Sequence, residues 1–195
     1  MLATKQLSNN VIKIISDSNC YIIEGKYIID TSREGLKSEL IEAIEKYVSL
    51  NNIEKVLFTH LHYDHIGCFD IFPNAEFYAN QTAINAMQNK QDKNNIILNP
   101  KTCENFNVNL KNIEKDKDIL CLFKIWNTPG HNSSCIILYY KKDNILFTGD
   151  MYFAPGRYGR IDLPTSEPEK MPNSIKVTLE IIKKYKPIIC SGHDY

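Results

Sequence analysis

The feature that most constrains this chain is a group of three histidines and one aspartate within six consecutive residues. The group consists of His60, His62, Asp64 and His65. Imidazole and carboxylate are the ligands that zinc prefers in catalytic sites. Imidazoles buried together without a cation would repel one another or lose hydrogen bonds, so core packing explains the group poorly. The pattern therefore predicts a metal site.

The backbone expected around this group allows its members to serve two ions. A short apolar strand at residues 56–58 leads into the group, and alternate residues of an extended chain point the same way. His60 and His62 can therefore face one ion. Asp64 and His65 follow where the chain turns, so they can face a second ion nearby.

The other candidate ligands occur where predicted strands end. His131 follows a Pro-Gly pair, and Asp150 and His193 each follow a glycine. The apolar runs 136–140 and 145–148 predict a β-hairpin, which would bring His131 and Asp150 towards each other. Every histidine of the chain thus lies where a strand enters a loop, the usual place for chemistry in layered α/β folds.

Apolar periodicity predicts alternating strands and helices along the rest of the chain, as in a layered α/β fold. Strands are predicted at residues 11–15, at 21–29 with a turn at Glu24-Gly25, at 119–126 and at 188–190. Helices are predicted at residues 36–48, 82–89 and 173–185, with a polar loop at 90–99. Because no repeat or low-complexity segment divides the chain, we expect residues 1–195 to form one domain.

Composition argues against several classes of partner. Lysine plus arginine and aspartate plus glutamate both total 23, so the chain lacks the basic charge expected of a nucleic-acid-binding protein. Its apolar runs are too short to span a bilayer or to form a secretory signal, so we expect a cytoplasmic protein with no membrane partner. The six cysteines show no Cys-x-x-Cys spacing, and we expect buried free thiols.

The order of these motifs resembles that of the metallo-β-lactamase-fold hydrolases along nearly the whole chain. The matching elements are His-x-His-x-Asp-His at 60–65, Gly-His at 130–131, Thr-Gly-Asp at 148–150 and Gly-His at 192–193. The resemblance implies an α/β fold, a four-layer αβ/βα sandwich. It also implies that one metal is held by His60, His62 and His131, and a second by Asp64, His65 and His193, with Asp150 bridging the two.

The same resemblance implies the chemistry. Two divalent ions, zinc by default with iron or manganese as alternatives, would lie about 3.5–4 Å apart and share a hydroxide that attacks the substrate carbonyl. Asp64 would fix one ion and orient this hydroxide. Asp30, at the end of a predicted strand, resembles a carboxylate that supports the ligands from behind, but a turn or helix-cap role is equally consistent with its position.

Within the family, three features favour a short form of glyoxalase II. Residues 147–150 with Gly-Arg-Ile-Asp at 159–162 are similar to glyoxalase II, residues 190–195 resemble its Gly-His-Glu-Tyr segment, and a secretory signal is lacking. The likeness implies that Arg160 contacts the glutathione moiety, with Arg157 and Tyr158 as weaker candidates. We expect a thioester hydrolase for a substrate similar to S-lactoylglutathione, without the additional C-terminal helical domain of glyoxalase II.

The sequence leaves alternatives open. The Gly-Arg-x-Asp and His-Asp-Tyr elements also resemble the persulfide dioxygenases of this superfamily, in which His60, His131 and Asp150 would hold a single iron. A lactonase or another ester hydrolase would use the same metal pair with an apolar pocket. A binding protein that kept the fold but lost catalysis would be expected to lack a ligand, and all seven are present. The acyl group, the metal and the oligomeric state are not determined by the sequence.

Overall fold

The computed structural model describes residues 1–194 and arranges its strands in two sheets. The first sheet follows chain order, with antiparallel neighbours from β1 to β4 and parallel neighbours from β4 to β7. Its strands are β1 Ala3–Gln6, β2 Val11–Ile15, β3 Cys20–Ile23, β4 Tyr27–Ile29, β5 Lys55–Leu57, β6 Glu76–Ala79 and β7 Leu110–Asn112.

The second sheet has the order β11-β10-β9-β8. Its strands are β8 Phe123–Asn127, β9 Ile136–Tyr140, β10 Ile145–Gly149 and β11 Ile188–Ser191. The first three are antiparallel neighbours, whereas β10 and β11 run parallel with Gly149 beside Ser191. Asp150 and His193 therefore leave the sheet at the same edge, because parallel strands end on the same side.

The α-helices connect these strands. They are α1 Lys37–Glu45, α2 Tyr63–Ile66, α3 Gln81–Ala86, α4 Lys90–Ile97, α5 Pro100–Asn105, α6 Lys117–Leu122 and α7 Met171–Tyr185. Within residues 1–194, none is both long and apolar enough to cross a bilayer.

The two sheets pack face to face, and helices cover both outer faces. Ile28 of β4 joins a core that includes Leu40 of α1, whereas the next residue, Ile29, joins the core between the sheets. In β9, Leu138 lies in that central core and Ile137 in the core beneath α7. Each sheet is therefore buried on both faces, because successive strand residues point to opposite sides. The fold is the four-layer αβ/βα sandwich that the family resemblance implied.

Several predicted elements are confirmed. The strands predicted at 11–15 and 21–29 are present as β2 to β4, with the turn at Glu24-Gly25, and the hairpin of β9 and β10 forms as expected. The predicted helices correspond to α1, α3 and α7, and the last predicted strand to β11. The cysteine prediction is also confirmed, since all six are free and five are buried.

The polar loop predicted at residues 90–99 is wrong over most of its length, because residues 90–97 form α4. The Asn89 side chain accepts a hydrogen bond from the backbone N–H of Asp92 and so caps the helix. The two apolar residues at the helix end, Ile96 and Ile97, are fully buried. One turn of apolar contact against the core is enough to hold an otherwise polar segment as a helix.

The strand predicted at 119–126 is wrong in its first half, where α6 forms instead. Asp116 accepts a hydrogen bond from the N–H of Ile119 and caps this helix. Only Phe123–Asn127 is extended, as β8. A short apolar run fits a strand or a buried helix equally well, and here the capping aspartate decides between them.

Candidate metal centre

The predicted ligands converge on one cleft at the edge where β5, β10 and β11 end. The cleft has a volume of about 660 Å³, and its lining includes Asp64, His131, Asp150 and His193. All five histidines and Asp150 are buried, whereas Asp64 is partly exposed to the cleft. The structure thus brings together all seven side chains that the sequence singled out.

His60, His62 and His131 form a compact set, hereafter the three-histidine group. One ring nitrogen from each lies within 4.8 Å of those of the other two. The Nδ1 atom of His62 is 3.1 Å from Nε2 of His60 and 3.0 Å from Nε2 of His131. Three imidazole nitrogens converging on one point match the protein ligands of a catalytic zinc that keeps its fourth position open.

Asp64, His65 and His193 form a second set, hereafter the aspartate group, whose ligand atoms also lie within 4.8 Å of one another. The Oδ2 atom of Asp64 is 3.4 Å from Nε2 of His193 and 3.8 Å from Nε2 of His65. Asp64 and His65 lie on α2, which begins directly after His62. Because the chain changes from extended to helical at His62, His60 and His62 lie in the three-histidine group, whereas Asp64 and His65 lie in the aspartate group.

The Asp150 carboxylate lies between the two groups. Its Oδ1 atom is 3.2 Å from Nε2 of His65, while its Oδ2 atom is 3.5 Å from Nε2 of His131 and 3.4 Å from Nε2 of His193. One carboxylate therefore contacts ligands of both groups, as a bridging residue must.

The hydrogen bonding of two buried atoms indicates whether this cluster can bind a cation. Within residues 1–194, Nε2 of His65 and Oδ1 of Asp150 make no hydrogen bond of normal geometry. Unsatisfied buried polar atoms cost free energy, and a cation in contact with both would satisfy them. Imidazole and carboxylate donors suit zinc, iron and manganese alike, so the residues fit a divalent-metal site without selecting one metal.

Asp30 lies behind the ligands rather than at a helix cap. Its buried carboxylate accepts hydrogen bonds from the N–H of Thr59 at 2.8 Å, from the hydroxyl of Thr59 at 2.7 Å and from Nδ1 of His65 at 2.8 Å. The hydroxyl of Thr59 is in turn 3.2 Å from Nδ1 of His60. The N-cap position of α1 is occupied by Leu36, so Asp30 does not cap that helix.

Two further contacts were not anticipated from the sequence. The fully buried Asn132 donates from Nδ2 to Nε2 of His62 at 3.0 Å. The backbone carbonyl of Asp17 accepts a hydrogen bond from Nδ1 of His193. Asn132 could have been predicted from the sequence, because it is a polar residue directly after His131. The contact with the carbonyl of Asp17 could not, because every residue has a backbone carbonyl.

The electrostatic environments of the two groups differ. Burial and the neighbouring imidazoles lower the pKa of His62 to about 3, and burial also holds the pKa of His60 well below its usual value. Burial opposes charge on His193 as well, but hydrogen bonds with Asp150 and Asp64 raise its pKa to about 10. The carboxylates thus favour positive charge in the aspartate group, and a bound dication would supply it.

The predicted substrate residues Arg157, Tyr158 and Arg160 all line the cleft. The guanidinium of Arg160 is bound to Asp162, with Nε 2.7 Å from Oδ1, and its backbone carbonyl accepts a hydrogen bond from Nδ1 of His131 at 2.8 Å. Arg157 is exposed and forms no ion pair with the described residues. The structure therefore makes Arg157 the more available cation, the reverse of the order that the sequence suggested.

Comparison with known proteins identifies the family. The family described as the metallo-beta-lactamase superfamily matches this chain over residues 15–82 and 110–193, which include all seven predicted ligands. The chain belongs to the metallo-β-lactamase superfamily. With this membership and its cluster of histidines and aspartates, it is a metal-dependent hydrolase.

Relatives within the superfamily are of metallo-hydrolase and lactonase type. A probable metallo-hydrolase of Methanocaldococcus jannaschii is 31% identical over 86% of this chain and 70% of its own length. An N-acyl homoserine lactonase of Bacillus thuringiensis is 26% identical over 90% of this chain and 80% of its own. These relatives support the metal-dependent hydrolase but do not confirm the glyoxalase II-like form.

A solved structure supports the fold. An N-acyl homoserine lactone hydrolase with N-hexanoyl-L-homoserine bound at its catalytic metal centre matches this chain with a TM-score of 0.67 and 22% identity. The match covers 94% of this chain and 82% of the other.

Proposed function

We propose that this chain is a two-metal hydrolase that cleaves the acyl bond of a small thioester. The three-histidine group would hold one divalent ion and the aspartate group the other, with Asp150 contacting both and zinc as the metal. Such ions polarise a carbonyl as Lewis acids and lower the pKa of water, so that water attacks near neutral pH. The convergence of seven ligand side chains on one cleft supports this proposal.

Asp64 lines the cleft and is the most exposed of the seven ligands. A carboxylate in this position accepts a hydrogen bond from the attacking water and orients it towards the substrate carbonyl. The five histidine ligands are buried and held from behind by hydrogen bonds, so they keep their geometry while substrate enters and product leaves.

The position of Arg157 favours a thioester as the substrate. Its guanidinium has no ion-pair partner among the described residues and lines the same cleft as the ligands, next to Tyr158. A peptide thiol such as glutathione carries carboxylates, and a guanidinium binds a carboxylate through two parallel hydrogen bonds. Thioesters of a neutral thiol would leave this cation without a role.

Lactone hydrolysis is the second candidate. It is favoured by the lactonase relatives and by the apolar residues of the cleft, Leu98, Phe153 and Leu163, which suit an acyl chain. The two functions share their metal chemistry and differ in whether the part of the substrate near Arg157 is anionic.

The test is hydrolysis by the zinc-loaded chain of S-D-lactoylglutathione and of N-hexanoyl-homoserine lactone. Each assay is repeated after chelation and after zinc is restored. The variant Arg157→Ala is compared with the control variant Lys142→Ala. In the wild type, the ammonium group of Lys142 pairs with Glu24 away from the cleft. We expect chelator-sensitive thioester cleavage, with KM raised about tenfold by Arg157→Ala and kcat little changed.

Other outcomes of these assays would indicate a different function. Cleavage of the lactone alone would replace the thioester proposal with the second candidate. Turnover of neither substrate, with oxygen consumed when iron-loaded protein meets glutathione persulfide, would contradict hydrolysis and support the dioxygenase alternative.

A further inference from the structure

The hydrogen-bond partners behind each imidazole determine which ring nitrogen carries the proton. The backbone carbonyl of Arg160 accepts from Nδ1 of His131 at 2.8 Å. The hydroxyl of Thr59 donates to Asp30, so at 3.2 Å it accepts from Nδ1 of His60. In their neutral forms, both rings therefore direct an unprotonated Nε2 towards the three-histidine group.

His62 has the opposite arrangement because of Asn132. The Oδ1 atom of Asn132 accepts from the backbone N–H of Ser134 at 2.8 Å and from its hydroxyl at 2.7 Å. A backbone N–H only donates, so this contact fixes the orientation of the amide. The Nδ2 atom of Asn132 then faces Nε2 of His62 at 3.0 Å. An amide NH₂ group also only donates, so Nε2 accepts and the proton of neutral His62 lies on Nδ1.

This proton lies where an ion of the three-histidine group would need a lone pair. Nδ1 of His62 points at Nε2 of His60 and Nε2 of His131, at 3.1 and 3.0 Å. For Nδ1 to bind a metal, the proton must move to Nε2, where it would meet the NH₂ group of Asn132. The amide must then turn over, and it loses its hydrogen bond from the N–H of Ser134.

The aspartate group needs no such rearrangement. Nδ1 of His65 donates to the carboxylate of Asp30 at 2.8 Å, and Nδ1 of His193 donates to the carbonyl of Asp17. Both partners are acceptors, so they keep a proton on Nδ1 and leave Nε2 facing the cluster. The carboxylate of Asp64 adds attraction for a dication.

We propose that Asn132 is a positioning residue that weakens ion binding at the three-histidine group, so that the aspartate group fills first. This inference rests on the two-metal assignment proposed above, and it concerns the order and strength of binding rather than the substrate. Partners behind metal-binding histidines typically change metal affinity by about 10- to 100-fold, so the effect is measurable.

The first test is the tautomer of His62 in chelator-treated wild-type protein. Labelling the histidine rings with ¹⁵N distinguishes protonated from unprotonated nitrogens by NMR, and the variant His62→Gln assigns the signals. We expect His62 to carry its proton on Nδ1 and to accept at Nε2. A proton on Nε2 would overturn the proposal. One equivalent of zinc should then shift the signals of His65 and His193 before those of His62 and His131, and the reverse order would also overturn it.

The second test is calorimetric titration of the variant Asn132→Asp with zinc. The carboxylate still accepts from Ser134 and accepts from Nε2–H of His62 as well, so the metal-binding tautomer is stabilised. We expect the second ion to bind about tenfold more tightly, with the affinity of the first changed less than about threefold. The matched control is Thr165→Val, which removes the other acceptor of Asn132 Nδ2 and should leave both affinities unchanged.

Two results of this titration would contradict the proposal. Weaker binding of the second ion would show that Asn132 only supports the fold. Equal tightening of both ions would show a general effect of added negative charge. Neither result depends on the substrate, so the order of binding can fail while thioester hydrolysis stands. If the wild-type protein does not cleave the thioester, the zinc titration still tests the order of metal binding.

Discussion

His65 donates from Nδ1 to Oδ2 of Asp30 across 2.8 Å, and both side chains are buried. Asp30 directly follows β4 and has a left-handed backbone, with φ of +55°. Aspartate tolerates this region better than most residues other than glycine. The turn leaves the carboxylate bonded to both Thr59 and the ring of His65, so the end of β4 fixes a ligand carried by α2.

Replacing Asp30 with asparagine should weaken metal binding. The amide lacks the charge that holds the proton on Nδ1 of His65, and we expect about 10- to 100-fold lower zinc affinity at the aspartate group, measured by competition with a chelating dye. Asp143→Asn is the control, because Asp143 bonds Ser8 and Asn10 rather than a ligand. An unchanged affinity in Asp30→Asn would contradict the positioning role.

Replacing Gly192 with alanine should disrupt the cluster without removing a ligand. An added Cβ would overlap Oδ1 of Asp150 and lie 2.8 Å from Cε1 of His65. We expect the bound metal to fall below two ions per chain and kcat to drop about 100-fold, because displacements near 1 Å have effects of this size. Gly35→Ala is the control, since a Cβ there meets nothing within 4 Å. Full metal content in Gly192→Ala would show that the cluster tolerates this displacement.

The interaction between Lys55 and Asp116 should stabilise the fold in a pH-dependent way. Burial raises the pKa of Asp116, but hydrogen bonds from Lys55 and from the N–H of Ile119 outweigh it and lower the pKa from 3.8 to about 2. A carboxyl whose pKa is lowered by folding stabilises the protein above its unfolded pKa, and this stability is lost as pH falls through the folded pKa.

The variant Asp116→Asn tests this interaction, because asparagine keeps the helix cap and removes only the charge. We expect the free energy of unfolding in urea to fall by about 1 kcal/mol at pH 6. The difference should shrink as pH falls towards the folded pKa of about 2 and vanish below it. Asp118→Asn is the control, because Asp118 is 3.4 Å from Lys55 and its side chain is 80% exposed. A difference that stays constant with pH would exclude an ionic origin.

Thiol reactivity should separate Cys121 from the other cysteines. Cys121 is exposed, whereas burial raises the pKa of Cys68 and of Cys190 to about 12, so their thiolates are scarce. We expect iodoacetamide to modify one thiol in the native chain and six after denaturation, as counted by mass spectrometry. Cys121→Ser should remove the native reaction, and two or more modified thiols in the folded protein would contradict the burial described here.

The convergence of the candidate ligands could be predicted because it follows from short-range patterns. The spacing of His60, His62 and Asp64 places them where an extended segment turns, and turn signals place His131 and Asp150 at strand ends. The sandwich could be predicted because the motif order matches one family and most inner strands carry an apolar pattern. The strands β1 and β7 were not predicted, since they are short, polar and partly exposed.

The residues behind the ligands could not be predicted in this way. Asn132 and the carbonyl of Asp17 reach their imidazoles through contacts that form only when distant loops meet in three dimensions. The segments that became α4 and α6 were missed because a capping side chain, Asn89 or Asp116, outweighed a weak local pattern.

The metal content of the purified chain tests the central claim most directly. We predict two divalent ions per wild-type chain by elemental analysis, because the three-histidine group and the aspartate group each complete one binding position. The variants His131→Ala and His193→Ala should each retain one ion. A wild-type chain that binds no more than one ion, or a His193→Ala variant that still binds two, would contradict the two-metal account.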